Sequence, residues 1–301
     1  MAIGGFLPGK VTTIGGRSGM GKTALLTEVF KAGLRIVSDK KAEYLFLSWE
    51  MGEDEVVDRQ ICNSVGLSYR MLTQGAKLLD DNMIQKIRRA YQKVKDIPVE
   101  YHLYSTNIVE VQKMIIEFVK ECRKKEKADG IKRQPVIAID YLGLAQFEGS
   151  GLRTYGIGDF MNGIKVVCND TGAHTLILTQ LKRDTDGKEM PGRADFADSA
   201  IIEMASDNLL ILHRPEYQGV TTIKDPDAAG ALISSEDKSL FRVLKCRAFG
   251  TGDFIINSVM KYFRFWDRDH THDFEYWKLY ADEELWRKKY GLPLKGSKSK
   301  A

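Results

Sequence analysis

Gly16-Arg17-Ser18-Gly19-Met20-Gly21-Lys22-Thr23 is a complete G-x-x-x-x-G-K-[ST] run, and its flanks are the ones such a run needs. Val11 to Ile14 before it reads as a buried strand, while Leu25, Leu26, Val29 and Phe30 after it follow helical spacing. In a strand–loop–helix unit the glycines let the backbone wrap so that its N–H groups face an anion. The helix N-terminus adds a favourable dipole. In that setting Lys22 pairs with β- and γ-phosphates and the Thr23 hydroxyl holds Mg²⁺. Gly16, Arg17, Ser18, Gly19, Met20, Gly21, Lys22 and Thr23 are therefore the candidate cradle for ATP.

Outward from this loop, short apolar runs alternate with amphipathic segments. Tyr44 to Ser48, Val99 to Leu103, Val136 to Ile139, Thr175 to Thr179 and Asn208 to Leu212 read as buried strands. Ile108, Val111, Ile115, Phe118 and Cys122 share one face of a helix that Asn107 is placed to cap. The alternation predicts an α/β fold around a mostly parallel twisted sheet flanked by helices. After about Ser239 the pattern changes. Leu240 to Cys246, Phe254 to Val259 and Tyr262 to Trp266 read as antiparallel strands with short connections, and Phe274 to Tyr290 as a C-terminal helix closed by Gly291 and Pro293. The basic stretch Arg123 to Lys127 reads as a solvated helix end, with DNA contact as the other reading.

Two carboxylates stand where the chemistry of a phosphate loop needs them. Asp140 ends the apolar run Val136-Ile137-Ala138-Ile139, where it can coordinate magnesium or its waters. Glu50 lies just beyond the strand Tyr44 to Ser48, facing the same strand-end crevice. It is placed to deprotonate or position the attacking water, and otherwise is a surface residue opening the next helix.

These segments together resemble the DnaB family of replicative helicases. The cradle is similar to that family's phosphate loop, and Leu47-Ser48-Trp49-Glu50-Met51 to its Ser-Leu-Glu-Met segment, whose Glu is the catalytic base. Ile139-Asp140-Tyr141-Leu142 resembles its Walker B stretch. Leu178-Thr179-Gln180-Leu181-Lys182-Arg183 resembles its Ser-Gln-Leu-Asn-Arg segment, which implies Gln180 as γ-phosphate sensor. Lys245-Cys246-Arg247 matches the family's Lys-x-Arg, which implies an arginine finger, Arg247, with Lys245 as companion, both serving a neighbouring subunit's site. A finger of this kind is worth about 10³–10⁵ in rate. Alone, the pair reads as a solvated strand edge.

The resemblance implies a RecA-like domain over residues 1–268, followed by a helical extension and basic tail over 269–301. It implies ATP and Mg²⁺ as cofactors, single-stranded DNA as partner, and a homo-oligomer, a hexameric ring, with a separate replication or loader protein as a further partner. Two departures bear on this. With the first strand read from Val11, the family's N-terminal domain and linker helix are expected to have no counterpart in this sequence. The family's Arg-Glu-Ser-Gly DNA loop is matched by Asp195-Phe196-Ala197-Asp198-Ser199-Ala200, with Ala197 at the Arg position. The loss of that cation weakens the electrostatic part of DNA binding. It leaves Asp198 and Ser199, with Lys182, Arg183 and Arg193 nearby, as the candidate contacts.

In the C-terminal segment Phe274, Trp277, Ala281, Leu285 and Trp286 fall near one helical face. It packs on its own domain or docks on the next subunit in place of the linker helix. His270 and His272 read as a polar turn. Bulk properties agree with an intracellular enzyme: charge is +4, charged residues are 29%, and four cysteines are scattered without a CxxC. No run is long and apolar enough to span a membrane and no signal-peptide layout opens the chain, which predicts a cytoplasmic protein. The leading expectation is a helicase motor that translocates on single-stranded DNA. The alternatives are a RecA-like ATPase that loads or remodels partner proteins without unwinding, and an assembly module using ATP as a structural ligand.

Overall fold

A computed structural model describes residues 5–34, 36–37, 40–75, 79–146, 153–197, 199–228 and 230–268. The expected helix Phe274 to Tyr290, the His270–His272 turn and the whole 269–301 extension lie outside these residues.

A ten-stranded mixed sheet forms the centre. Its strands are β1 (Val11–Gly15), β2 (Ile36–Val37), β3 (Lys40–Ser48), β4 (Val99–His102), β5 (Lys132–Asp140), β6 (His174–Thr179), β7 (Asn208–His213), β10 (Lys238–Cys246), β11 (Gly252–Val259) and β12 (Arg264–Asp267). The order is β12-β11-β10-β7-β1-β6-β5-β3-β2, with β4 also paired to β3. The strands β4, β3, β5, β6, β1 and β7 run parallel, whereas β10, β11 and β12 extend the sheet antiparallel, as the change of pattern predicts. β1, β6 and β7 are buried along their whole length, which is why they read as runs rich in aliphatic and β-branched residues and not as apolar–polar alternation.

One face of the sheet is covered by α5 (Ile108–Asp129) and α6 (Arg153–Thr171), whose Val111, Ile115, Phe118, Phe160 and Ile164 pack on Leu45, Leu47, Ile137 and Ile139. Asn107 caps α5 by accepting from Glu110 N at 3.0 Å. On the other face α1 (Lys22–Lys31) buries Leu26 and Phe30 against Phe46, Val136, Leu176 and Leu210. At one margin α2 (Glu53–Val65), α3 (Tyr69–Gln74) and α4 (Asp81–Lys95) form a satellite core of Ile61, Val65, Leu67, Ala90 and Val94. A hairpin of β8 (Thr222–Lys224) and β9 (Leu232–Ser234) packs Ile223 on Leu240 and Ile255. The helix α7 (Ser199–Ala205) precedes β7.

One sequence reading changes. The last strand does not begin at Tyr262: Met260–Tyr262 is a helical turn, and Phe263 adopts a left-handed φ of 54° before β12 starts at Arg264. A reversal of backbone hand at a bulky residue leaves no mark in the apolar pattern. The basic stretch Arg123 to Lys127 ends α5 in ion pairs, Arg123 with Glu126 at 2.6 Å, Lys124 with Glu121 at 2.8 Å and Lys125 with Glu43 at 2.9 Å. Among the described residues no helix is long and apolar enough to cross a membrane.

Candidate functional site

The carboxyl ends of β1, β3, β5 and β6 meet where the strand order jumps about β1, the crevice in which open α/β sheets bind ligands. A cavity of about 390 Å³ opens there, and its walls include Ser18, Gly19, Gly21, Lys22, Thr23, Glu50, Asp140 and Gln180. Four segments that are far apart in sequence thus converge on one site.

The loop between β1 and α1 has the curled backbone of a phosphate cradle. Gly19 and Gly21 hold φ of 78° and 88°, which L side chains rarely adopt. A Cβ on Gly21 would stand 2.5 Å from Met260 Sδ, and one on Gly16 2.8 Å from the Leu212 carbonyl oxygen. Gly16 N donates to Thr179 O at 3.2 Å, which ties the loop to the end of β6 directly before Gln180. Gly16, Arg17 and Met20 shape the cradle from behind. Met20 is fully buried, and the Arg17 side chain points away from the cavity.

Lys22 is nearly buried and its Nζ donates to the carbonyls of Gly16 at 2.8 Å and Arg17 at 3.1 Å, arching over the loop. Burial pushes its pKa down to about 8; the Asp140 and Glu50 carboxylates oppose this and the Arg17 charge adds to it. Thr23 Oγ1 donates to Asp140 Oδ2 at 2.6 Å. Asp140 is 1% exposed, and burial raises its pKa, opposed by the Thr23 hydrogen bond and reinforced by Glu50. A hydroxyl and a buried carboxylate in contact supply the hard oxygen donors that Mg²⁺ takes.

Glu50 is exposed at the tip of a tight turn after β3. Ser48 Oγ fixes that turn, donating to Met51 O at 2.8 Å, and Trp49 N continues the β3–β5 ladder by donating to Asp140 O at 2.8 Å. Glu50 and Asp140 therefore stand at the ends of neighbouring strands.

Further wall residues escaped the sequence reading, among them Glu55 and Arg59 on α2, and Met260 and Phe263 in the turn before β12. Arg59 donates to Glu55 Oε1 at 2.5 Å and lies 5.1 Å from the centre of the Phe263 ring. Its Nε is buried with no hydrogen-bond partner among the described residues. The i, i+4 acid–base spacing of Glu55 and Arg59 is readable in sequence; that it faces this cavity is not. Met260 and Phe263 arrive through tertiary packing alone.

The remaining candidates lie elsewhere. Lys245 and Arg247 are at the carboxyl end of β10, which runs antiparallel to β7, so they sit at the opposite end of the sheet from the cradle. Lys245 Nζ donates to Glu203 O, and Arg247 lies 3.6 Å from Asp207, an acid that is 1% exposed. Asp207 also accepts from Val11 N at 2.9 Å and pairs with Lys165. Lys182 and Arg183 are exposed just after Gln180, and Lys182 Nζ donates to Ala194 O at 2.9 Å. Arg193 is exposed but pairs with Glu203 at 2.8 Å and donates to Leu244 O at 2.5 Å. Asp198 lies outside the described residues, and Ser199 opens α7.

A family model described as the DnaB-like helicase C-terminal domain matches residues 1–267. Relatives include the replicative DNA helicase DnaB of Mycoplasma genitalium, 26% identical over 216 residues, covering 70% of this chain and 43% of that protein. The replicative DNA helicase DnaB of Treponema pallidum is 27% identical over 223 residues, covering 73% and 47%. A probable plasmid replicative DNA helicase of Chlamydia muridarum is 27% identical over 212 residues, covering 69% and 44%. The matched part spans less than half the length of each. Among solved structures, an ATPase domain superposes with a TM-score of 0.70 at 18% identity, covering 87% of this chain and 86% of that one. A DnaB-like replicative helicase studied with primase also gives 0.70 at 18% identity, covering 87% and 58%. These likenesses show a RecA-like fold. With its match over residues 1–267, the chain belongs to the family of DnaB-like helicase C-terminal domains.

Proposed function

We propose that this chain is the ATP-hydrolysing motor of a DnaB-like DNA helicase, acting on single-stranded DNA as a ring of identical subunits in the cytoplasm. One observation carries the reading. Lys22, Thr23, Glu50, Asp140 and Gln180 converge on one cavity, while Lys245 and Arg247 stand at the far end of the same sheet. A finger that cannot serve its own subunit's site is what a nucleotide site shared between neighbours requires.

In this reading Lys22 and the N–H groups of the cradle hold the phosphates of ATP, and Thr23 and Asp140 hold Mg²⁺. The metal supplies charge neutralisation at the phosphates when bound. Glu50 takes the proton of the attacking water and Gln180 contacts the γ-phosphate. Lys245 and Arg247 complete the neighbour's site. The work is mainly positioning and charge stabilisation, which these groups supply. Met260 and Phe263 give the cavity an apolar wall suited to a nucleobase. Residues 1–268 form this motor and 269–301 an extension to it.

Lys182, Arg183, Arg193, Asp198 and Ser199 are the proposed DNA contacts. The internal bonds of Lys182 and Arg193, and Ala197 where the family has a cation, favour a second reading: an ATPase that loads or remodels partner proteins on DNA without unwinding. ATP turnover with and without single-stranded DNA, followed by a forked-duplex displacement assay, tests both. Salt-sensitive stimulation with strand displacement supports the motor. Stimulation without displacement supports the second reading, and turnover indifferent to DNA contradicts both.

A further inference from the structure

Arg17 belongs to the phosphate cradle by position, yet its side chain is spent elsewhere. Its Nε and Nη2 donate to the two carboxylate oxygens of Asp186 at 2.7 and 2.9 Å, and its Nη1 donates to Leu181 O at 3.3 Å. One planar guanidinium therefore clamps two points of the segment that leaves β6. Leu181 directly follows Gln180, and Asp186 closes the helical turn Arg183–Thr185.

The segment between these points has little slack. Leu181 is 3% exposed and forms an isolated bridge with Phe196. A Cβ on Gly15 would stand 2.5 Å from the Phe196 ring and 2.8 Å from Leu181, so both press on the end of β1. On its outer side Gly187 N donates to Gln218 Oε1 at 2.8 Å. Asp186 itself is half exposed, and an exposed ion pair adds little to stability. A bidentate guanidinium–carboxylate pair does fix direction, because both partners are planar and both bonds must align.

We propose that Asp186 is a positioning residue for hydrolysis: through Arg17 it holds Leu181, and with it Gln180, in register with the phosphate cradle. The inference rests on the role of Gln180 given above. A shift of the cradle on nucleotide binding is transmitted by the same clamp to Gln180 and onward to the loop 182–196.

Steady-state ATP turnover of the full chain tests this with Asp186→Asn, Asp186→Glu, Arg17→Lys and Gln180→Ala. Asp186→Asn and Arg17→Lys, which each lose the fork, should lower kcat about tenfold, as small misplacements of a reacting group do. KM for ATP and the melting temperature of Asp186→Asn should stay at wild-type values, and Asp186→Glu should restore most of kcat. Wild-type kcat in Asp186→Asn alongside a low kcat in Gln180→Ala overturns the inference alone. Wild-type kcat in Gln180→Ala sinks the reading of Gln180 and the inference with it. A fall in kcat that tracks a fall in melting temperature, unrescued by Glu, makes the pair merely structural and also overturns it. Hydrogen exchange reads the clamp without turnover. ADP should slow exchange over residues 181–187 in the wild type and not in Asp186→Asn, and equal protection in both contradicts the proposal.

Discussion

Thr23 Oγ1 donates to Asp140 Oδ2 at 2.6 Å, joining the first residues of α1 to the last residue of β5 across 117 positions of sequence. The contact brings the hydroxyl of the cradle and a buried acid together. Asp140→Asn should therefore lower ATP turnover by about a hundredfold or more, the scale of losing one group that stabilises the transition state. ADP binding should change far less, and chelating Mg²⁺ should abolish turnover of the wild type. Turnover in Asp140→Asn close to wild type contradicts the assignment.

Gly21 combines a φ of 88° with a Cβ position 2.5 Å from Met260 Sδ. Gly21→Ala should lose about 1–3 kcal/mol of stability through backbone strain, along with most nucleotide affinity. Trimming the neighbour by Met260→Ala relieves the contact and not the dihedral, so the double variant should recover only part of the loss. Full recovery, read by thermal melting, would show that crowding alone sets the requirement for glycine.

Arg59 presents beside the cavity a buried Nε with no hydrogen-bond partner among the described residues, and it lies against the Phe263 ring. Arg59→Ala and Phe263→Ala should each raise KM for ATP, by about tenfold if the contact is worth about 1.4 kcal/mol, with kcat less affected. Equilibrium binding of a fluorescent ATP analogue measures this directly. Unchanged affinity in both variants removes the α2 wall from the site.

His174 and His213 are buried and neutral. His174 is bonded to Leu7 O at 2.8 Å and Thr12 Oγ1 at 3.0 Å, and burial pushes both imidazoles from 6.5 down to about 4. The unfolded chain therefore binds protons that the folded chain refuses. Their contribution to stability is full above pH 6.5 and falls as pH drops towards 4. Urea midpoints should fall between pH 7.5 and pH 5, with uptake of about one proton per histidine on unfolding. A flat profile over that range would mean that these imidazoles take up protons as readily in the folded protein as in the unfolded chain.

The sequence carried the parallel core because strands buried on both faces are rich in continuous apolar residues, as Val136 to Ile139 and Leu209 to Leu212 are. The cradle was legible because its glycines answer to backbone geometry, and Asp140 because it ends such a strand. Other features depend on contacts without a local signature. β2 is two residues long, and β8–β9 is stabilised mainly by packing Ile223 on Leu240 and Ile255. Phe263 lines the cavity from a left-handed turn that no local pattern announces. The clamp of Arg17 on Asp186 joins residues that only the sheet order brings together.

The central claim is that each nucleotide site is completed by Arg247 of a neighbouring subunit. Mixing two inactive variants, Glu50→Gln and Arg247→Ala, tests it most directly. In mixed rings some interfaces pair an intact Glu50 site with an intact Arg247, so ATP turnover should reappear on mixing, well above the sum of the two variants alone. If turnover of the mixture never exceeds that sum, although mixed assemblies form, the site is not shared in this way and the account is wrong.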